Sequence, residues 1–217
     1  MKNTALPPPI QINIDEFDTL EHLTDYIYKN HFKQDFMDKN KRSKLFGKFI
    51  YLDLDFLDYK PEKFWHIISF NANDEKYTVN PCINAEDIVF CKRKKPNCEA
   101  SLFLPLDSRL DGRSECIYRM RRLNFINPIL NLANTESEYV SVWSEDSTTK
   151  ELKPIRKVYI RYQDDLQDYL IVLVDGEIVG KASYKFVTAY PVVHNGTKRR
   201  LDRSYINFNK KSRSQHC

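Results

Sequence analysis

The apolar pattern of this chain predicts an α+β fold: helices first, then a four-stranded antiparallel sheet. Three observations predict it. In residues 14–40 and 113–134 apolar side chains recur at three- and four-residue steps. After residue 134 the period changes to two. The last such stretch, Ser183-Tyr-Lys-Phe-Val-Thr-Ala-Tyr-Pro191, is dominated by aromatic and β-branched residues, and Pro191 withholds an amide from the ladder.

Taken in order, Pro7 to Pro9 form a short extended leader. From Ile14 to about Asn40, Phe17, Leu20, Leu23, Tyr26 and Ile27 keep a helical spacing behind an acidic first turn. Lys44 to Phe70 is rich in aromatics. Asn71 to Gly112 is turn-rich and basic, with Pro81, Pro96 and Pro105, and is expected to form loops or an irregular insertion. Ile117, Met120, Leu123, Ile126 and Leu130 predict a helix over Arg113–Asn134, broken near Pro128. Four strand candidates follow: Tyr139 to Ser144, Ile155 to Tyr162, Tyr169 to Val174 and Ser183 to Tyr190. The third leads into Asp175-Gly176, a hairpin signal. The expected organisation is an N-terminal helical extension (1–60), an α+β domain (61–209) with a basic, Cys-containing insertion at about 71–112, and a basic tail (210–217).

A strand sends alternate side chains to opposite faces. Val140 and Val142, Val158 and Ile160, and Val187 and Ala189 then fall on matching apolar faces that the preceding helix can cover. The other face holds Tyr139, Ser141 and Trp143; Lys157, Tyr159 and Arg161; and Phe186, Thr188 and Tyr190. Aromatics, cations and a hydroxyl together can stack bases and hold phosphates. The competing reading is a second apolar layer, packed under the N-terminal region. The Leu170 strand is apolar on both sides, which predicts a central position.

At 217 residues and 41% hydrophobic, the chain suffices for one domain with an extension, or two small ones. No apolar run approaches the roughly 20 residues of a membrane-spanning helix, and the first residues lack the apolar stretch of a signal peptide. A cytoplasmic protein is expected. The net charge is only +4, but cations cluster at Lys92–Lys95, at Arg113, Arg119, Arg121 and Arg122, and between Lys198 and Arg213. Such patches suggest a polyanionic partner. The gaps between Cys82, Cys91, Cys98 and Cys116 match no CxxC pairing, so reduced thiols are expected over a zinc site. Asp53, Asp55 and Asp58 would be the carboxylates of a two-metal site, but their alternation with apolar residues fits a half-buried strand or a helix start better.

Arg121-Arg-Leu-Asn-Phe-Ile-Asn-Pro-Ile-Leu, Arg156-Lys-Val-Tyr-Ile-Arg-Tyr, Tyr169-Leu-Ile-Val-Leu-Val and Val187-Thr-Ala-Tyr-Pro resemble the Barnase–EndoU–colicin–RelE-like nuclease superfamily, and are most similar to its phage- and toxin-associated branches. The resemblance covers roughly Glu62 to Asn209. It implies metal-independent cleavage of RNA, tRNA or mRNA, by attack of a 2′-hydroxyl on the adjacent phosphate, with no cofactor. It also implies a toxin or phage/defence effector with a neutralising antitoxin or immunity protein. His66 resembles the family's catalytic histidine, and its ordinary pKa near 6.5 suits proton transfer; His194 is the rival. Thr188 is carried over as a donor to the scissile phosphate, and Tyr190 as a stacking ring or proton donor. Lys157 and Arg161 would hold phosphate. Tyr159 and Phe186 would contact bases, and Arg121 and Arg122 would add charge from the helix. The alternatives are a nucleic-acid-binding module without catalysis, or a phage-associated interaction protein with a nuclease-like fold.

Overall fold

The computed structural model of the protein describes residues 5–38, 43–53, 55–71, 79–80, 89–90, 113–149 and 151–214. The leader is packed: Leu6, Ile10 and Ile12 are buried, and the Ile10 N–H donates to the Arg121 carbonyl at 2.7 Å. A 3₁₀ turn at Ile14–Glu16 leads to α1 (Leu20–Ile27), whose N-cap Thr19 accepts the His22 N–H at 3.1 Å. The helical run then widens into a π-helix, Tyr28–Met37, in place of one α-helix to Asn40. Tyr28, Phe32 and Phe36 recur every four residues and stack as one row. Tyr28 and Phe32 meet Phe64 edge-on, and Phe36 reaches Phe186.

Two short strands follow, β1 (Lys44–Leu45) and β2 (Lys48–Tyr51), joined through Phe46 and Gly47, both at positive φ. β3 (Phe56–Leu57) and β4 (Lys60–Pro61) form a small hairpin before α2 (Glu62–Ile68). β5 (Ser69–Asn71) pairs with β8 (Arg113–Glu115), and β6 (Val79–Asn80) with β7 (Val89–Phe90). Most of the insertion expected at 71–112 lies outside the described residues, as do Cys82, Cys91 and Cys98. The helix expected over Arg113–Asn134 is in pieces: α3 (Ile117–Met120), a 3₁₀ turn at Leu123–Phe125 and α4 (Ile126–Asn134). The break comes at Arg121 and Arg122. Pro128 sits in the first turn of α4, where its missing amide has no intrahelical partner to lose.

The long strands β9 (Val140–Thr148), β10 (Pro154–Gln163), β11 (Asp168–Ile178) and β12 (Lys181–Pro191) are antiparallel neighbours, as the periodicity predicts. The sheet itself corrects the expected four-stranded, wholly antiparallel one. It has six strands in the order β1-β2-β12-β11-β10-β9, and β2 runs parallel to β12, Phe49 opposite Ser183 and Tyr51 opposite Lys185. Residues 44–51, read as part of a helical extension, supply these extra strands; runs of two and four residues are too short to show a period. The final hairpin also shifts. Gly176 lies inside β11, opposite Ser183, and the turn is Val179-Gly180, both at positive φ.

The sheet is buried on both sides, and β11 is interior. Val158, Ile160, Tyr162, Tyr169, Ile171 and Leu173 join the main core with α1, α2, α3 and α4. On the other side Trp143, Leu170, Val172 and Val192 pack against Leu201 of α5 (Asn195–Ser214). The sequence reading has no helix there and a tail from 210. Its few apolar residues (Leu201, Tyr205, Phe208) lie among so many cations that the period is masked. Arg161 clamps α5 to the sheet: its guanidinium, 3% exposed, grips Asp168 with two bonds of 2.9 and 2.8 Å and reaches Asp202 of α5 at 2.6 Å. Among the described residues no helix is long and apolar enough to cross a membrane.

Removing the cation takes this partner from Asp202 and leaves the nearly buried Asp168 with the longer, 3.9 Å pairing to Lys198. Arg161→Ala is therefore expected to lower unfolding stability by about 3–5 kcal/mol in urea titrations, and Asp202→Ala by less, because Asp202 is half-exposed.

Candidate active site

One irregularity in β12 decides which side chains reach which layer. Leu173 pairs with Phe186 but Val172 pairs with Thr188, so Val187 is an extra residue, a β-bulge. The alternation shifts by one across it. Tyr184 and Phe186 turn into the main core, Phe186 fully buried, while Thr188 and Tyr190 follow Val172 and Leu170 onto the α5 side. The predicted row of Phe186, Thr188 and Tyr190 on one face does not form. Val187 likewise leaves Ala189 and packs with the second core.

The face expected to be open is roofed by α5 over much of its extent. Tyr159 stacks on Trp143 with centroids 5.2 Å apart, and Trp143 donates from Nε1 to Ser204 of α5 at 2.6 Å. Burial, and then Glu145 beside its hydroxyl, push the Tyr159 phenol up to about 12. Arg161 is the clamp described above, and RNA cannot reach it in this state. Lys157 lies in the same row as Lys185, the two separated by Val174. Arg122 is buried: it donates to Gln167 and to the Tyr118 carbonyl and lies on the Tyr118 ring. Arg121 donates to the Ile12 carbonyl at 3.1 Å and so ties down the leader. His194 starts α5. Its Nδ1 accepts the Gly196 N–H and its carbonyl takes the Lys198 N–H. A Cβ at Gly196 would come within 2.9 Å of that imidazole, so a side chain there would push the ring aside.

His66 lies in the other layer. α2 follows Pro61, whose preset φ suits a helix start, and buries Phe64, Trp65, Ile67 and Ile68. That leaves His66 on the outward side with 35% of its side chain exposed, its Nε2 at 3.2 Å from Glu62 Oε1 one turn earlier. An Nε2–H donated to the carboxylate leaves Nδ1 with the lone pair. Ser69 ends the helix and turns its hydroxyl back to the Trp65 carbonyl at 2.5 Å. Arg113 donates to the Ser69 hydroxyl and carbonyl at 2.8 and 3.2 Å, and Arg119 donates to the same carbonyl and, at 3.5 Å, to that of His66. The Arg119 guanidinium in turn sits 5.5 Å from the centre of the Tyr190 ring. Arg119 thus links two predicted site residues, His66 and Tyr190, at the end of the sheet where β12 closes.

The expected set is divided. His66 and Tyr190 share the Arg119 neighbourhood, whereas Thr188 and Lys157 belong to the α5 side. Arg113 and Arg119 are the residues that sequence reasoning passed over. Both stand in the basic cluster 113–122, but nothing in a single sequence separates them from Arg121 and Arg122. Asp53, Asp55 and Asp58 do not converge: Asp53 pairs with Lys185, the Asp55 carbonyl takes the Glu62 N–H, and Asp58 sits in a turn at positive φ. Among the described residues no three His, Cys, Asp or Glu side chains gather as a metal site, and Cys116 is half-buried and in no disulfide among them. Compared with family models, curated proteins and solved structures, the chain finds no match in any of the three.

Burial, and then the nearby Arg113, hold the His66 imidazole below its ordinary 6.5, against the pull of Glu62. Between that lowered midpoint and 6.5 the unfolded chain binds more protons here, so this residue's share of stability rises with pH and is lost as pH falls below 6.5. An NMR titration should place His66 below 6.5, and Glu62→Gln should move it lower still. A wild-type midpoint above 6.5 would mean that Glu62 outweighs burial and Arg113.

Proposed function

We propose that this protein is a metal-independent endoribonuclease with His66 as its general base. The observation that carries the reading is the His66 cluster: an imidazole held below its ordinary pKa, oriented by Glu62 and near Arg113, on a residue whose backbone carbonyl takes a bond from Arg119, which also lies against the Tyr190 ring. The resemblance of the β10, β11 and β12 sequences to the Barnase–EndoU–colicin–RelE-like nucleases, through which His66 is singled out, supports the reading by analogy.

In the proposed reaction His66 takes the proton from a ribose 2′-hydroxyl. The freed oxygen attacks the adjacent phosphorus, the bond to the 5′-oxygen breaks, and that oxygen receives a proton from Tyr190. The products are a cyclic phosphate and a 5′-hydroxyl end. Arg113 offsets the charge gathering on the phosphoryl oxygens. Arg119 acts as a positioning residue, holding Ser69 and the Tyr190 ring. A cell carrying such an enzyme free in its cytoplasm needs a neutralising partner protein, and a toxin or defence role fits that requirement. A second reading, RNA binding without cleavage, is favoured by the exposed cations of α5, which need no open catalytic face.

One assay separates the two. Total RNA incubated with the purified protein in excess chelator should yield fragments ending in cyclic phosphate. His66→Ala should lower kcat by about 10²–10⁴-fold while RNA binding persists. Intact RNA with the wild type would overturn the proposal, and loss of cleavage on Thr188→Val would return the site to the outer face.

A further inference from the structure

α5 carries seven lysines and arginines against one carboxylate, Asp202, and Asp202 is engaged by Arg161. Its apolar side is engaged too, Leu201, Tyr205 and Phe208 closing the second core. What faces solvent is a stripe: Arg199, Arg203 and Lys210 are all exposed and one above another at helical steps, flanked by exposed Arg200 and Lys211. Among the described residues none of these five is paired with a carboxylate. The helix is about 30 Å long at 1.5 Å per residue. Lys210 and Lys211 suit the C-terminal end of the helix dipole, but folding gives the cations at its N-terminal end no such reward. Arg199 and Arg203, four apart, repel each other, and the first six residues hold no acid and three cations at the end where the helix dipole favours anions.

We propose that the outer stripe of α5 is a docking rail for the sugar–phosphate backbone of single-stranded RNA, separate from the cleavage cluster and feeding it. Direction comes from Tyr190, which packs with the second core that α5 closes while its ring carries Arg119. A strand laid along the rail is thereby led to that end of the sheet. A membrane surface is the poorer occupant, because an interfacial helix inserts an apolar face and that of α5 is already buried against the sheet. The inference rests on the ribonuclease reading for its direction, and on charge alone for its binding.

The test uses the full chain carrying His66→Ala, so that the probe survives, and a labelled mixed-sequence single-stranded RNA in chelator. Adding Arg199→Gln, Arg203→Gln and Lys210→Gln should weaken binding and make the log–log salt slope shallower by about 2, at roughly 0.7 per phosphate contact. In the cleaving background the same triple change should raise KM and leave kcat alone. Replacement of the two arginines by lysine should restore the slope. Should the triple variant fail to fold, Arg203→Gln alone decides, with an expected change of about 0.7. An unchanged affinity and slope would overturn the rail, as would loss of binding to phosphatidylserine vesicles or an acidic peptide with RNA binding intact. If the slope falls but the wild type never cuts RNA, the rail stands and the ribonuclease reading fails.

Discussion

One extra residue in β12 sets the arrangement of everything around it. Had the strand paired with β11 without a bulge, Phe186 and Tyr190 would face the same layer. One of two needs would then go unmet: the aromatic row of the π-helix would lose Phe186, or α5 and Arg119 would lose Tyr190. With Val187 inserted, both are met by one strand. Bulges bend a strand as well as re-aiming it, and this one lies four positions before Pro191, where the ladder ends.

The second constraint is electrostatic. Where the sheet is covered on both faces a charged side chain has no water, so Arg161, 3% exposed, must find its partners within the protein. Asp168 supplies a two-bond grip from the neighbouring strand, and Asp202 brings α5 into register over Trp143 and Leu201. That single guanidinium converts a highly basic helix, poorly suited to stand alone, into a layer of the fold. It also explains why the outer side of the sheet offers little open surface for a ligand.

Much of the fold could be read from the residues. The four long strands, their order along the chain and the interior place of β11 follow from period-two runs and from Leu170-Ile-Val-Leu, apolar on both faces. The failures have physical causes. Lys44–Leu45 and Lys48–Tyr51 are shorter than any period they could display. Val187 is a good strand residue, and nothing in its chemistry marks it as the odd one in the pairing. Asp175-Gly176 is a strong turn signal overridden by a turn three residues later, at a valine whose positive φ no propensity would suggest. Of the proposed site, His66 and Tyr190 are named from the sequence, the first through the resemblance alone and the second as an aromatic closing a strand. Which arginine joins them was not legible, because four stand within ten positions and only the path of α3 separates them.

The parallel pairing of β2 with β12 has a consequence for how the chain comes together. It sets residue 49 beside residue 183, a contact between segments far apart along the polypeptide. Loop-closure entropy makes such contacts late events, and proteins rich in them fold slowly. On a ribosome the second strand must wait for the twelfth. Until then its exposed Phe49 has no neighbour on that side, and the bonding edge of the sheet stands open to whatever the crowded surroundings supply.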